Sequence, residues 1–438
     1  MEVTNHFKPE PESEKGEGPQ PDPETALKKE PTGPNPDDFP DGGFQAWLVV
    51  VGGFCAVFCG FGWINCIGVF QNYYERNQLQ HYSSSTIAWI PSTQSFMLFF
   101  PGFLAGKMTD ELGPRIPVLL GSFLHVFGIM MTSISKEYYQ IFLAQSVCSG
   151  LGCCFLFYPI IAACGTWFRR HRALAFGIIT SGSSLGGVVL PIMVQRLIPQ
   201  IGFGWTMRAV GFLFLGLLTI ANLTVRSRLP PPRRPFHVME MAKPFTEKPF
   251  MLLALGSFFI YIGGFLPFNF IIVQGEASGM STNLASYLVP IVNAASTFGR
   301  ILPAHLGDSF GVFNVMIVLT GFAAIITLAL WLPAAANAPI IVYAVMYGFA
   351  SGCTLSIIPA MVAKLGKISQ LGARSGALYA FSSFGVLIGS PIGGAIQKNQ
   401  HGGYSGLIIF TGVALLIGTF FSFLSRAAQV GLKIKVKV

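Results

Sequence analysis

A chain of 438 residues with 52% hydrophobic and 11% charged side chains, and a mean hydropathy of +0.58, is too apolar for a soluble globular protein and reads as an integral membrane protein. Its formal charge of +9 needs no nucleic-acid partner, because basic loops on one face of a bilayer account for it. Soluble-enzyme signatures are missing as well: no Walker-type lysine loop occurs, and no carboxylate or His/Cys cluster lies inside an apolar run, so neither a metal nor a cofactor is expected.

Residues 1–43 differ from everything that follows. They hold eleven acids, from Glu2 to Asp41, against Lys8, Lys15, Lys28 and Lys29, and they nearly lack large aliphatics. No apolar stretch of signal-peptide type occurs there. This composition buries too little surface to offset its ordering entropy, which predicts a disordered, acidic, Pro-rich cytoplasmic tail.

Apolar runs of about 20 residues, the length that crosses a bilayer as helix, then recur to the end of the chain. They fall at 46–70, 86–106, 116–134, 139–163, 173–198, 205–225, 249–273, 283–306, 312–333, 336–363, 374–397 and 404–425. Cations collect on every second connection: Lys107 and Arg115, then Arg169, Arg170 and Arg172, then Arg226 to Lys248, then Lys364, Lys367 and Arg374, then Arg426 onward. That alternation predicts that both termini are cytoplasmic. The longest connection, 227–248, separates a first half at 44–226 from a second at 249–425, and a basic tail at 426–438 ends the chain.

The halves repeat each other. Pro159 and Pro191 recur as Pro359 and Pro391 (359 − 159 = 200; 391 − 191 = 200), and Asp110 recurs as Asp308 within similar turns (308 − 110 = 198). The expected fold class is an all-α membrane protein of twelve helices in two pseudo-symmetric six-helix bundles, with a substrate site where the halves meet and rock.

Charge placement narrows the function. Each acid beyond Asp41 lies at the edge of a run or between runs, whereas Arg196, Arg208 and Arg300 stay inside or beside the apolar segments. An embedded charge is costly and marks a functional site by default. Embedded cations without embedded carboxylates predict a carrier of a small anionic or weakly acidic solute. Asn65, Tyr158, Asn269, Asn293, Tyr347 and Tyr379 are further polar groups inside spans, able either to line a cavity or to join helices. The eight cysteines read as packing residues, and His125 as a buried neutral histidine.

Three motifs carry a family resemblance. Gly106-Lys107-Met108-Thr109-Asp110-Glu111-Leu112-Gly113-Pro114-Arg115 resembles the loop signature of the major facilitator superfamily, with Pro114 as a departure before Arg115. Asp41-Gly42-Gly43-Phe44-Gln45-Ala46-Trp47 is similar to the leading motif of monocarboxylate transporter-like carriers. Trp167-Phe168-Arg169-Arg170-His171-Arg172-Ala173-Leu174-Ala175-Phe176-Gly177, continuing into Ser181-Gly182-Ser183-Ser184, resembles their second signature. The acidic tail fits a fungal branch.

The resemblance implies a secondary transporter of the plasma membrane working by alternating access, with protons as a candidate co-substrate and efflux of a secondary metabolite as the alternative to uptake. A non-transporting nutrient sensor on the same fold is the rival class. Characterised members use a span-one lysine and a span-eight aspartate–arginine pair. Alignment puts Asn65 at the lysine, Ser296 at the aspartate and Arg300 at the arginine, so Arg300 is the implied anion site and the usual proton relay is missing. Its alternative role is an anchor that snorkels to the interface. In the second signature, Arg169, Arg170 and Arg172 read as anchors at the anionic leaflet, and Gly177 opens a small-residue face for close packing.

Overall fold

The protein is described here by a computed structural model covering residues 1–2, 39–87, 89–229, 242–400, 402–431 and 436. Residues 1–38 form one unit, of which Met1 and Glu2 are described, and Phe39–Val438 form the other. The predicted tail, part of the predicted 227–248 connection and much of the final basic tail therefore lie outside the described residues.

Apolar composition on all sides gives helices that are buried in protein or facing lipid rather than amphipathic surface helices. In chain order they are α1 (Phe44–Ile64), α2 (Ile67–Arg76), α3 (Ser84–Ile87), α4 (Trp89–Phe99), α5 (Gly102–Leu112), α6 (Arg115–Thr132), α7 (Tyr138–Ile141), α8 (Gly150–Gly165) and α9 (Arg172–Thr224). After the inter-half connection come α10 (Lys248–Gly264), α11 (Leu266–Ala277), α12 (Thr282–Ala285), α13 (Leu288–Phe310), α14 (Val312–Ile326), α15 (Asn337–Leu365), α16 (Leu371–Asn399) and α17 (Ser405–Val430). Short π-helical stretches join α7 to α8 and extend α14. No strand occurs among the described residues.

Nine of these helical segments are long and apolar enough to cross a membrane. One of them, α9, holds two predicted spans, because the chain turns at Gly202, where φ is 77°. That left-handed conformation suits a residue without a Cβ. The second and eighth predicted spans are helical too, but are interrupted near Pro101 and near Ser286. All twelve predicted spans thus fall on helix.

Two breaks come in register. The first span stops at Ile64 and resumes at Ile67, and the seventh stops at Gly264 and resumes at Leu266, so Asn65 and Phe265 occupy matching interruptions (265 − 65 = 200). Interrupted helices at matching places in two repeats are where carriers build a site near the bilayer midplane. Within the first half α1 packs along α9 and α6 along α8; within the second α10 packs along α17 and α13 along α15. Between the halves, α9 crosses α13 and α5 crosses α16.

Candidate functional site

The two halves enclose a cavity of about 1440 Å³ lined from both sides. Its lining reaches Arg76 at the end of α2, Arg196 six residues before the turn at Gly202, Glu276 near the end of α11 and Asn283 on α12, and it includes Arg300, Ser296 and Ser183 as a floor. Beyond that floor the opposite end is closed.

Arg300 is built into the floor by close packing. On α9, a Cβ at Gly177 would overlap the Arg300 carbonyl, so the bare glycine lets α9 and α13 touch backbone to backbone. That approach puts the guanidinium against α9. Its Nη1 donates to the Thr180 carbonyl at 2.7 Å and to the Ser183 hydroxyl, and its Nε donates to Ser296 Oγ at 3.2 Å. The Nη2 group has no hydrogen-bond partner among the described residues. The guanidinium thus turns inward across the inter-half interface and does not snorkel. Among the described residues, the titratable groups in its electrostatic surroundings are Tyr261, Tyr379 and Cys353, with no carboxylate. A guanidinium stays charged at any accessible pH, so Arg300 places a positive charge at the cavity lining.

The other expected site residues divide into two sets. Asn65, Asn269, Asn293, Ser296 and Tyr347 line the cavity. Asn293 Nδ2 reaches Asn65 Oδ1 across the halves at 3.2 Å, and Ser184 Oγ donates to Ser296 Oγ at 3.1 Å, also across them. The Tyr347 hydroxyl donates to the Gly264 carbonyl, freed by the helix break, at 2.8 Å. Asn269 donates to Ser390 Oγ at 2.7 Å. Tyr158 and Tyr379, read as able either to line a cavity or to join helices, are fully buried and outside the cavity lining. The ring of Tyr158 fills the space left by Gly102, and its hydroxyl is used on the Phe99 carbonyl at 3.2 Å.

The motif residues gather at the closed end. Asp110 accepts hydrogen bonds from the Gly372 and Ala373 N–H groups at 3.2 and 2.7 Å, capping the start of α16 from the other half. Asp308 does the same in reverse for α9, accepting from Ala173 and Leu174 N–H at 3.0 and 2.8 Å. A carboxylate at a helix N-terminus satisfies donors that have no partner within the helix and meets the positive end of its dipole. Gly106 brings α5 onto the Gly372 carbonyl, Gly113 ends α5, and Arg115 opens α6. Asp41 accepts from the Arg169 and Arg170 N–H groups, both at 2.6 Å, while Gly42 and Gly43 lead into α1. Arg172 donates to the Phe168 carbonyl and lies over the Phe39 ring. His125 is remote from the cavity lining and fully buried, held by Ser149 Oγ at 2.9 Å and the Cys59 carbonyl at 3.2 Å.

Thr180 and Ser183 as partners of Arg300, and Tyr261 as its neighbour, are not singled out by the sequence. Ser183 was read there only as part of a small-residue face, and Tyr261 carried no local signal.

A duplicated helical bundle with a central cavity open at one end and capped at the other defines a membrane carrier. A profile of the Major Facilitator Superfamily matches residues 52–347 and 253–436, and the chain belongs to that superfamily of transporters. It is 48% identical to the "MFS transporter asaE" of Aspergillus flavus across 94% of this chain and 93% of that one. It is 44% identical to the "Fujikurins efflux protein" of Gibberella fujikuroi across 87% of this chain and 82% of that one. The "Aspyridones efflux protein apdF" of Emericella nidulans is 39% identical, across 90% and 80%. Among solved structures, the human organic anion transporter MFSD10 superposes with a TM-score of 0.69 at 14% identity, covering 86% of this chain and 98% of that one. The fucose:proton symporter FucP of E. coli gives 0.67 at 14%, covering 85% and 97%. At such identity these two share the fold.

Proposed function

We propose that this transporter exports a weakly acidic secondary metabolite across the plasma membrane, and that the conformation described here is open to the outside. The observation that carries the reading is Arg300, a cation at the base of a large inter-half cavity with no carboxylate in its electrostatic surroundings. The fork of a guanidinium matches a carboxylate or a delocalised enolate, and low dielectric strengthens the pairing. Efflux is favoured over uptake by the two relatives named as efflux proteins. The alternation of basic and cation-poor loops supports cytoplasmic termini, so that the capped end faces inward. The halves at 44–226 and 249–425 would rock about the Arg300 floor, with 227–248 as a cytoplasmic tether. The motifs at 41–47 and 167–187 favour the monocarboxylate transporter-like branch.

Among the described residues lining the cavity, Glu276 at the mouth is the one acid. With Ser296 where relatives of that branch carry an aspartate, coupling of the solute to a proton inside the cavity would rest on Glu276 or on the solute itself.

The test is transport of labelled aryl and alkyl acids and their methyl esters in proteoliposomes carrying wild type, Arg300→Lys or Arg300→Ala. Loss of a charge-assisted hydrogen bond predicts about a tenfold fall in acid transport for Arg300→Lys and a larger one for Arg300→Ala. Wild-type rates from both correctly inserted variants would remove Arg300 from the site. Labelling of a cysteine at Thr246 from outside intact cells would reverse the orientation.

A further inference from the structure

Above Arg300 the cavity wall is aromatic and belongs to both halves. Phe61 and Phe99 lie 5.7 Å apart, Phe99 meets Tyr261 of the other half at 5.7 Å, and Tyr261 stacks on Phe265 at 5.9 Å. Phe268 and Tyr347 continue the wall at 6.4 and 6.3 Å spacings. Flat π-surfaces in sequence accept a flat conjugated body, each ring contact adding to plain apolar burial.

The Tyr261 hydroxyl is unsatisfied within this wall. It is shielded from solvent, and the hydroxyl beside it belongs to Tyr379, whose ring centroid is 6.0 Å away and which is buried in the same way. Even with one phenol donating to the other, the pair keeps one donor proton without an acceptor. A buried hydroxyl without an acceptor is expensive, and native structures retain such groups where a ligand completes them. Tyr261 lines the cavity and belongs to the electrostatic surroundings of Arg300, whose Nη2 is also without a partner.

We infer that Tyr261 is a second specificity-determining residue, donating its hydroxyl to the same oxyanion that Arg300 holds, and that the solute is an acid whose charge sits on a flat aryl or polyene body. This rests on the anion reading of Arg300 proposed above. Two unlike donors converging on one oxyanion discriminate against a neutral isostere more strongly than an apolar pocket can, because rejection leaves both donors unpaired.

The probe pair is a naphthyl-alkanoic acid and its methyl ester, with binding to purified protein in detergent followed by tryptophan fluorescence. Wild type should bind the acid more tightly than the ester. Tyr261→Phe removes one oxygen atom and should weaken the acid about tenfold while leaving the ester unchanged. Retained ester binding also reports that the variant is folded. Incorporation of 3-fluorotyrosine at 261, which strengthens the phenol as a donor and deletes nothing, should tighten the acid and not the ester. Acid preference in wild type with neither variant moving it overturns the Tyr261 assignment and leaves the anion reading standing. No acid preference in wild type overturns the anion reading itself, and the Tyr261 assignment with it.

Discussion

The two carboxylate caps that close one end of the transporter are built to the same plan and set in different surroundings. Asp110 on α5 caps α16, and Asp308 on α13 caps α9, each through two backbone N–H groups. Around Asp110 the helices are pressed together: a Cβ at Gly106 would overlap the Gly372 carbonyl, and Arg374 forms a two-pronged pair with Glu247 beside it. Around Asp308 itself the packing is looser, although two turns back along α13 the same crossing is tight where Gly177 meets the Arg300 carbonyl. A Cβ at Gly307 would meet only Val312 side-chain and backbone atoms and Ala173, at 3.3 to 3.9 Å, and a pocket of about 280 Å³ opens there, bordered by Arg169, Arg170 and Arg172. Duplication thus supplied one gate contact twice. Divergence then left a pocket bordered by three arginines at the Asp308 cap, so the halves should part more readily on that side.

The largest effect tests the packing difference. Gly106→Ala sets a methyl group against main-chain atoms that cannot move aside, so the capped end should fail to close and transport should fall at least about tenfold, since close-packed interfaces do not absorb an added methyl group. Gly307→Ala asks only a small shift of the Val312 side chain, at 3.3 Å, and should stay within about twofold of wild type. Initial efflux rates at matched expression decide this. Equal losses at both glycines would mean that the two crossings are equally tight.

An intermediate effect separates the caps by pH. Both carboxyls lie beyond the predicted ends of their spans, and burial pushes Asp110 up to about 7, partly offset by its two N–H bonds and by Lys107. Burial raises Asp308 also, against the opposing influence of its N–H bonds and of His171 and His305. A carboxyl whose proton is held more tightly when the end is closed favours closure in acid. That contribution is complete below roughly pH 4, the ordinary aspartate range, and is lost as pH rises through about 7. Opening at this end should therefore increase between those limits. Asp110→Asn should flatten the dependence, and Asp308→Asn should alter it less. Labelling of a cysteine introduced at Ala377, one turn above the Asp110 cap and 5% exposed, reads the opening directly. A dependence unchanged by Asp110→Asn would assign it to another group.

How far the sequence discloses this machinery depends on the range of the contact. Spans, loop motif and repeat are local or periodic, and they show because a bilayer demands about 20 apolar residues per crossing and duplication leaves marks at a fixed offset. The pairing of Asp110 with α16 spans more than 260 residues of chain and leaves no local trace. The break at Asn65 carries neither Pro nor Gly, so no breaker signal announced it. Whether Tyr158 and Tyr379 line the cavity or join helices stays open in the sequence, since helices apolar on every side do not advertise which face turns inward; both lie outside the cavity lining. Arg300 is legible because an embedded charge stands out; its partners are not, because one is the Thr180 main-chain carbonyl, which any residue presents, and the other a serine hydroxyl of the kind that commonly bonds its own helix backbone, as Ser183 also does with the Thr180 carbonyl.

The smallest effect comes from a third carboxylate at the same end, which serves as the control for both caps. Asp41 accepts the Arg169 and Arg170 N–H groups on a single oxygen, Oδ1, and its own N–H donates to the Trp167 carbonyl. These contacts stay within the first half. An amide oxygen can therefore replace Oδ1 without losing either bond, and asparagine also tolerates the positive φ of 50° at this position. At Asp110 and Asp308 the two N–H groups are divided between Oδ1 and Oδ2, so asparagine there must give one of them up. Asp41→Asn should leave transport within about twofold and the Ala377 labelling rate unchanged, whereas Asp41→Ala removes the acceptor and should lower folded yield by the order of about 1 kcal/mol expected for a lost cap. A change in Ala377 labelling with Asp41→Asn would mean that the first half's own loop, and not only the two inter-half caps, sets how readily this end opens.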